Sequence, residues 1–373
     1  MTPSSHRRQD FNVALNGYRG LCALLVFVFH IGSAGVIAWP SGTPLADALG
    51  YLWMSLTYGV EMFFMISGFV ILGSLLRHPT IGGFLKDRFT RIFSAWVPAL
   101  CAVTIVGIAL QVPPFANTSA AGTAALVVGN LFLLPPIVRF PMIHQVSWSL
   151  SYEWVFYLSS AVALVLYRRH RASKVLFVGW LCVAAVFILL FPRALFFVTG
   201  VLVFKYRDWF VEHKRWLQYP AVSLLVFLVA WRATGAFMAH LNDTVFDFLL
   251  DGRWLAMVVA FLASIHLFAS VTVNASAQSA FLCGPTFQFL GRISYSFYLW
   301  HTPVMAAIKL FVVPYLLASF GVTASLMVFA LATLAIAIPV SWVSWWLFET
   351  RLAQMMKRAL APSTEVRGTV RAV

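Results

Sequence analysis

Long apolar runs separated by short polar ones organise this chain. Ten of them read as membrane-spanning helices: residues 13–35, 54–76, 92–112, 148–167, 174–191, 192–204, 218–238, 253–273, 287–311 and 322–348. A helix rises 1.5 Å per residue, so crossing a hydrocarbon core takes about 20 apolar residues. The 192–204 run is short for that and could enter the bilayer only part way. The run 121–134 is also short, with Pro113 and Pro114 before it and Pro135 and Pro136 after it. It reads as a re-entrant segment, a form allowed only where protein covers the backbone. The expected fold is all-α, a polytopic transmembrane helical bundle of about ten spans plus one short re-entrant segment. A single membrane-embedded domain covers 1–351, and 352–373 form a short basic tail, expected to be poorly ordered.

Composition agrees with a bilayer. The chain is 61% hydrophobic and 10% charged, against about 45–50% and about 25% for soluble domains. Its net charge of +14 would point to nucleic acid on a soluble protein. Here Lys and Arg sit between the apolar runs, so the positive-inside rule accounts for them and nucleic acid is excluded as a partner. The basic stretches are His6-Arg7-Arg8, RHPTIGGFLKDRFTR, YRRHRASK, KYRDWFVEHKR and the C-terminal Lys357, Arg358, Arg367 and Arg371. They share one side if 121–134 does not cross, and the acidic HLNDTVFDFLLD takes the other. Both termini are then cytoplasmic. The first run is too long for a signal peptide and carries His30, so it is expected to be retained. Cys22, Cys101, Cys182 and Cys283 lack CxxC spacing and read as small buried hydrophobes, with no disulfide framework or zinc site.

The chemistry lies in polar residues that interrupt the spans. In YRGLCALLVFVFH, residues 18–30, Arg19 and His30 are eleven positions apart. That is close to three turns, so both project from one face, about 16 Å apart along the axis. Ionisable groups within a span normally face a bundle interior or a wet cavity. Taken singly, Arg19 also reads as a snorkelling anchor and His30 as an interhelical hydrogen bond. Glu153, in VSWSLSYEWVFYL, is expected at the depth of His30, where a carboxylate orients an imidazole. The alternative is a structural glutamate held by Trp and Tyr donors. Glu61 opens the second span and reads equally as interfacial. Ser67 and Gly68 indicate close helix packing. His301 either bonds the carbonyl that Pro303 frees or lines the same cavity as His30, while His144 reads as a solvated loop residue. Arg88 and Arg91 share a helix face and suit a phosphate clamp, with Lys86, Arg292 and Arg351 at the same level.

The ordered set RGLCALLVFVFH, GVEMFFMISGFV, DRFTRIFSAWVP, VSWSLSYEWVFYL, LGRISYSFYLWHTPV and WWLFE resembles the acyltransferase 3 family of integral membrane O-acyltransferases, over residues 11–351. The resemblance implies transfer of an acyl group, often acetyl, from cytoplasmic acyl-CoA to a hydroxyl of a cell-surface glycan or other acceptor. It implies a bacterial plasma (inner) membrane. It makes His30 the catalytic base, with Glu153 as its companion, and assigns Arg88 and Arg91 to the donor, with Arg19 beside them. Trp148, Ser149, Tyr157, His301 and Glu61 complete the expected binding set, and Trp148, Ser149, Tyr157 and His301 stay open as the oxyanion donor. Acyl-CoA is expected as a co-substrate, with no permanently bound cofactor and no metal. Two other readings stay open: O-acylation of a small lipophilic product or lipid, and a transporter or flippase using the same groups as a proton relay. Against the last stands the absence of an internal repeat.

Overall fold

The structure is a computed structural model that describes residues 13–36, 42–78, 80–168, 174–236, 239–273, 276–315 and 322–360. The basic residues at 6–8, 169–173 and 361–373 lie outside that set. The helices are α1 (Val13–Ser33), α2 (Pro44–Ser55), α3 (Gly59–Arg77), α4 (Ile81–Ala109), α5 (Ala120–Leu131), α6 (Ser147–Arg168), α7 (Lys174–Leu190), α8 (Leu195–Lys205), α9 (Arg207–Glu212), α10 (Pro220–Ala233), α11 (Ala239–Asn242), α12 (Val245–Leu250), α13 (Trp254–Thr272), α14 (Ala277–Phe281), α15 (Pro285–Phe311) and α16 (Val322–Ser344). A π-helical stretch, Trp345–Leu352, then leads into α17 (Ala353–Ala359). The described residues contain no strand. Local chemistry sets several starts. Thr43, Thr80 and Ser119 each accept a backbone N–H from the first turn that follows, capping α2, α4 and α5.

Among the described residues the ten expected spans reduce to six helices long and apolar enough to cross: Val13–Ser33, Pro44–Arg77, Ile81–Ala109, Ser147–Tyr167, Trp254–Thr272 and Ala324–Ala359. A seventh arises if Lys174–Leu190 and Pro192–Lys205, bent by 120°, count as one. Pro192 lacks an N–H and breaks the helix there, which is why two runs appear in the sequence. Two further expected spans fall short for different reasons. α10 has only 14 residues, about 21 Å. α15 has 27 residues but carries Gln288, Arg292, His301 and Lys309 and falls outside the apolar set. It is sheltered between α1 and α16. α5, at 12 residues, reaches about 18 Å and is too short to cross.

Two helix pairs position the site. α1 and α15 run parallel, with the Asn16 side chain bonded to Gln288 near their starts and His30 meeting His301 further along. Their approach needs Gly291, where a Cβ would lie 2.0 Å from the Asn16 carbonyl oxygen. α3 and α8 cross at Gly68, where a Cβ would lie 2.1 Å from the Phe197 carbonyl oxygen. Gly68 therefore has the packing role its sequence context indicated. α7 buries none of its residues, and its apolar surface suits contact with lipid.

Two smaller expectations change. The chain beyond Arg351 stays helical to Ala359, and Lys357 Nζ sits 2.8 Å from Asp87 of α4. Cys22 is buried, but Cys101 and Cys182 are exposed. A thiol is apolar enough to face a bilayer.

Candidate active site

A cavity of about 460 Å³ opens between α1, α3, α4, α6, α8 and α15. Arg19, Arg77, Arg88 and Arg91 all line it. α1 supplies the first from near its start, α3 the second from its end, and α4 the other two from its first half, so three helices bring their guanidinium groups to one end of the bundle. None of the four makes a hydrogen bond or salt bridge among the described residues. By contrast, Arg193, Arg253 and Lys357 are all ion-paired. The Arg88 guanidinium lies 5.9 Å from the rings of Phe84 and Tyr157, and its Nε is sealed without a partner. Four guanidinium groups with no direct ion pair, around two carboxylates at longer range, make a site for a polyanion, since each offers planar, charge-assisted donors. Lys86, Arg292 and Arg351 do not line the cavity. Arg292 and Arg351 lie over Trp345 and Trp346 instead.

Glu153 lies in the wall of this cavity. Its Oε1 accepts from Ser67 Oγ at 2.7 Å and from Tyr157, one turn later on α6. Arg19 and Arg91 are within electrostatic range of it. This corrects the expected pairing, because Glu153 is held by Ser67 and Tyr157 and makes no hydrogen bond to His30. Ser149 also lines the cavity and bonds the Tyr298 hydroxyl at 2.8 Å.

His30 sits beyond that inner end. Tyr298 lines the cavity, its ring is 6.0 Å from that of His301, and His301 Nε2 is 3.3 Å from His30 Nδ1. His30 Nδ1 is also 2.8 Å from the Val26 carbonyl, one turn back on α1. A carbonyl only accepts, so Nδ1 carries the proton and Nε2 keeps its lone pair. The hydrogen bonds of the His30 ring among the described residues run through Nδ1, and His30 is only half-buried. His301 thus lies beside His30, one of the two places its sequence context allowed. The carbonyl freed by Pro303 belongs to Leu299, and it is His144 Nε2 that donates to it, at 2.9 Å. His144 is buried at 1% exposure and is no solvated loop residue.

Two further expected binding residues belong elsewhere. Glu61 and Arg193 are both fully buried and form an ion pair at 3.3 Å, with the Trp231 indole N–H 3.2 Å from the same Glu61 oxygen. The Arg193 guanidinium covers the Trp148 ring at 4.3 Å. Glu61 and Trp148 are absent from the cavity lining and help anchor the bend between α7 and α8. The sequence gives no cue to Arg193 beyond its place after Pro192. Arg77 and Glu349 also escaped the sequence-derived set. Glu349 accepts from the Ser296 N–H and hydroxyl, at 3.0 and 2.7 Å, within electrostatic range of Arg19 and Arg91. Its signal was present as the acid of WWLFE.

The described residues contain no cluster of His, Cys, Asp or Glu able to hold a metal ion. No solved structure matches the chain. Among curated proteins it is 26% identical to Acyltransferase MdmB of Streptomyces mycarofaciens over 177 residues, 46% of this chain and 43% of the relative. It is 22% identical to a putative O-acetyltransferase of Staphylococcus aureus over 349 residues, 81% of this chain and 52% of the relative. It is 26% identical to the exopolysaccharide production protein ExoZ of Rhizobium meliloti over 254 residues, 65% of this chain and 75% of the relative. The chain thus spans about half the length of the first two of these. The family of the acyltransferase domain, acyltransferase 3, matches residues 12–346. With its polar residues converging inside an apolar helical bundle, and with that match over almost its whole length, the chain is an integral membrane protein of the acyltransferase 3 family.

Proposed function

We propose that this protein moves an acyl group, acetyl foremost, from cytoplasmic acyl-CoA to a hydroxyl of an extracytoplasmic glycan. The observation that carries the donor is the set of four arginines, without salt bridges, around one cavity. Coenzyme A brings a 3′-phosphate and a pyrophosphate, which matches that density of donors. The names of the Staphylococcus and Rhizobium relatives support O-acetylation and a polysaccharide acceptor. The pantetheine arm runs from the arginines past Glu153 towards Tyr298, and the thioester reaches His30 beyond that ring.

His30 Nε2 then takes the proton of the acceptor hydroxyl while its oxygen attacks the thioester carbonyl. The carbon–sulfur bond breaks, and the departing thiolate recovers the proton from Nε2, leaving ester and free coenzyme A. General-base catalysis of this kind supplies about 10²–10⁴-fold, and holding both substrates in place adds to it.

The test is transfer of label from acetyl-CoA to host envelope material, in membranes carrying native protein or an equally expressed His30→Ala variant. Label entering glycan with native protein alone supports the proposal. Equal transfer by both removes His30 from the chemistry. No transfer by either turns attention to lipophilic acceptors.

A further inference from the structure

The sequence pairs His30 with a carboxylate, but the structure pairs it with a second imidazole. We propose that His301 is the positioning residue of the His30 base, acting as a neutral acceptor where hydrolytic triads use an acidic side chain. The inference deepens the acyl-transfer proposal above and rests on it for its kinetic arm only.

The hydrogen bonds fix both rings. His301 Nδ1 lies 2.9 Å from the Phe297 carbonyl, which only accepts, so that nitrogen bears the proton and Nε2 is a bare lone pair. That lone pair points at His30 Nδ1 from 3.3 Å. The His30 Nδ1–H is therefore shared between two acceptors, the Val26 carbonyl and His301 Nε2. Two acceptors on one N–H hold the ring in the tautomer whose Nε2 is free to take a proton. They also gain strength when His30 becomes an imidazolium, because hydrogen bonds from a charged donor are about twice as strong as neutral ones.

The surroundings keep His301 in place. Phe297 stacks on it at 5.8 Å and 20°, and Phe27 meets it edge-on at 6.4 Å. The Leu299 carbonyl that Pro303 leaves without a backbone donor, one turn before it, is taken by His144 Nε2. Among the described residues no carboxylate bonds to either ring, so His301 is the side chain that bonds the imidazole of His30.

The experiment combines spectroscopy and kinetics on the full-length protein in lipid. Solid-state 15N spectra of histidine-labelled protein report which ring nitrogen is protonated, and the His30 signals are identified by their loss in His30→Gln. The expected native result is a proton on Nδ1 of His30. His301→Phe keeps an aromatic ring but removes the acceptor. It is expected to let the Nε2–H tautomer appear and to lower kcat by about 10- to 100-fold, the scale of losing one hydrogen bond to a charged group, with the donor KM unchanged. His301→Gln places a side-chain oxygen near the position of Nε2 and restores most of the rate. A native His30 protonated on Nε2 overturns the proposal whatever the kinetics show, including where His301→Phe does not fold. A kcat within twofold of native in folded His301→Phe overturns it as well. Native protein that transfers nothing from acyl-CoA overturns the functional proposal instead, and the spectra still decide the histidine pair.

Discussion

Removing the Glu61 carboxylate charge while leaving Arg193 in place should destabilise the protein more than removing both. The two side chains are fully buried and 3.3 Å apart. At an effective dielectric of 20 their attraction is about 5 kcal/mol, in line with the about 3–5 kcal/mol lost when one partner of a buried pair is deleted. Glu61→Gln keeps the shape and an acceptor for the Trp231 indole, yet leaves a guanidinium that cannot shed its proton. The Arg193→Met change is milder, since a stranded carboxyl can take up a proton. The double variant removes both charges and should approach the native melting temperature. At the usual unfolding entropy per residue, 3–5 kcal/mol in a chain of this length corresponds to a fall of about 4–6 °C. The assay is thermal unfolding of purified protein in detergent, followed by the monodisperse fraction, over the complete double-mutant cycle. A double variant that melts as low as Glu61→Gln, or a Glu61→Gln that melts with the native protein, refutes the assignment of this pair as the clamp on the α7–α8 bend.

Three other outcomes are expected. Arg88→Ala and Arg91→Ala should each raise the KM for the acyl-CoA donor by about 10- to 100-fold, the scale of a lost charge-assisted hydrogen bond, with Lys a poor substitute; steady-state kinetics on membranes checks this. Gly68→Leu should abolish the folded fraction on size exclusion, because no side chain fits against the Phe197 carbonyl. His240, outside the candidate spans, stacks on Trp231 and bonds Thr234, and burial, with Arg193, Arg232 and Arg253 nearby, pushes its imidazole down to about 2. Below about 6.5 the unfolded chain binds a proton that the folded one refuses. The stability this group supports is therefore full above that pH and declines by about 1.4 kcal/mol per unit as pH falls. His240→Gln should flatten the melting temperature between pH 6.5 and 5 relative to native.

What the sequence discloses follows from what is local. Arg19 and His30 share a face because helical period alone decides it, and Arg88 and Arg91 reach one cavity for the same reason. The error over Glu153 is one of partner. Counting turns from a loop at the membrane surface puts it beside His30. The loop before α6 is packed into the protein, for Ile143 and His144 are buried, and Glu153 meets Ser67 and lies within range of Arg19 instead. Arg193 escaped because Glu61 and Trp148, which meet it, come from α3 and α6, and no spacing links them. The pairing of His30 with His301 depends on α1 and α15 lying parallel in one register. The glycine at 291 permits that register, but a single sequence cannot announce it.

The parallel α1–α15 pair also constrains how the protein is made. His30 and His301 are 271 positions apart. At about 5–20 residues per second, synthesis separates them by about 14–54 s. Throughout that interval His30 lacks the partner that α15 brings to it. A chain arrested before residue 285 never brings His301 to His30. A chain that has not yet made α15 therefore carries an imidazole in its first helix that still waits for its partner.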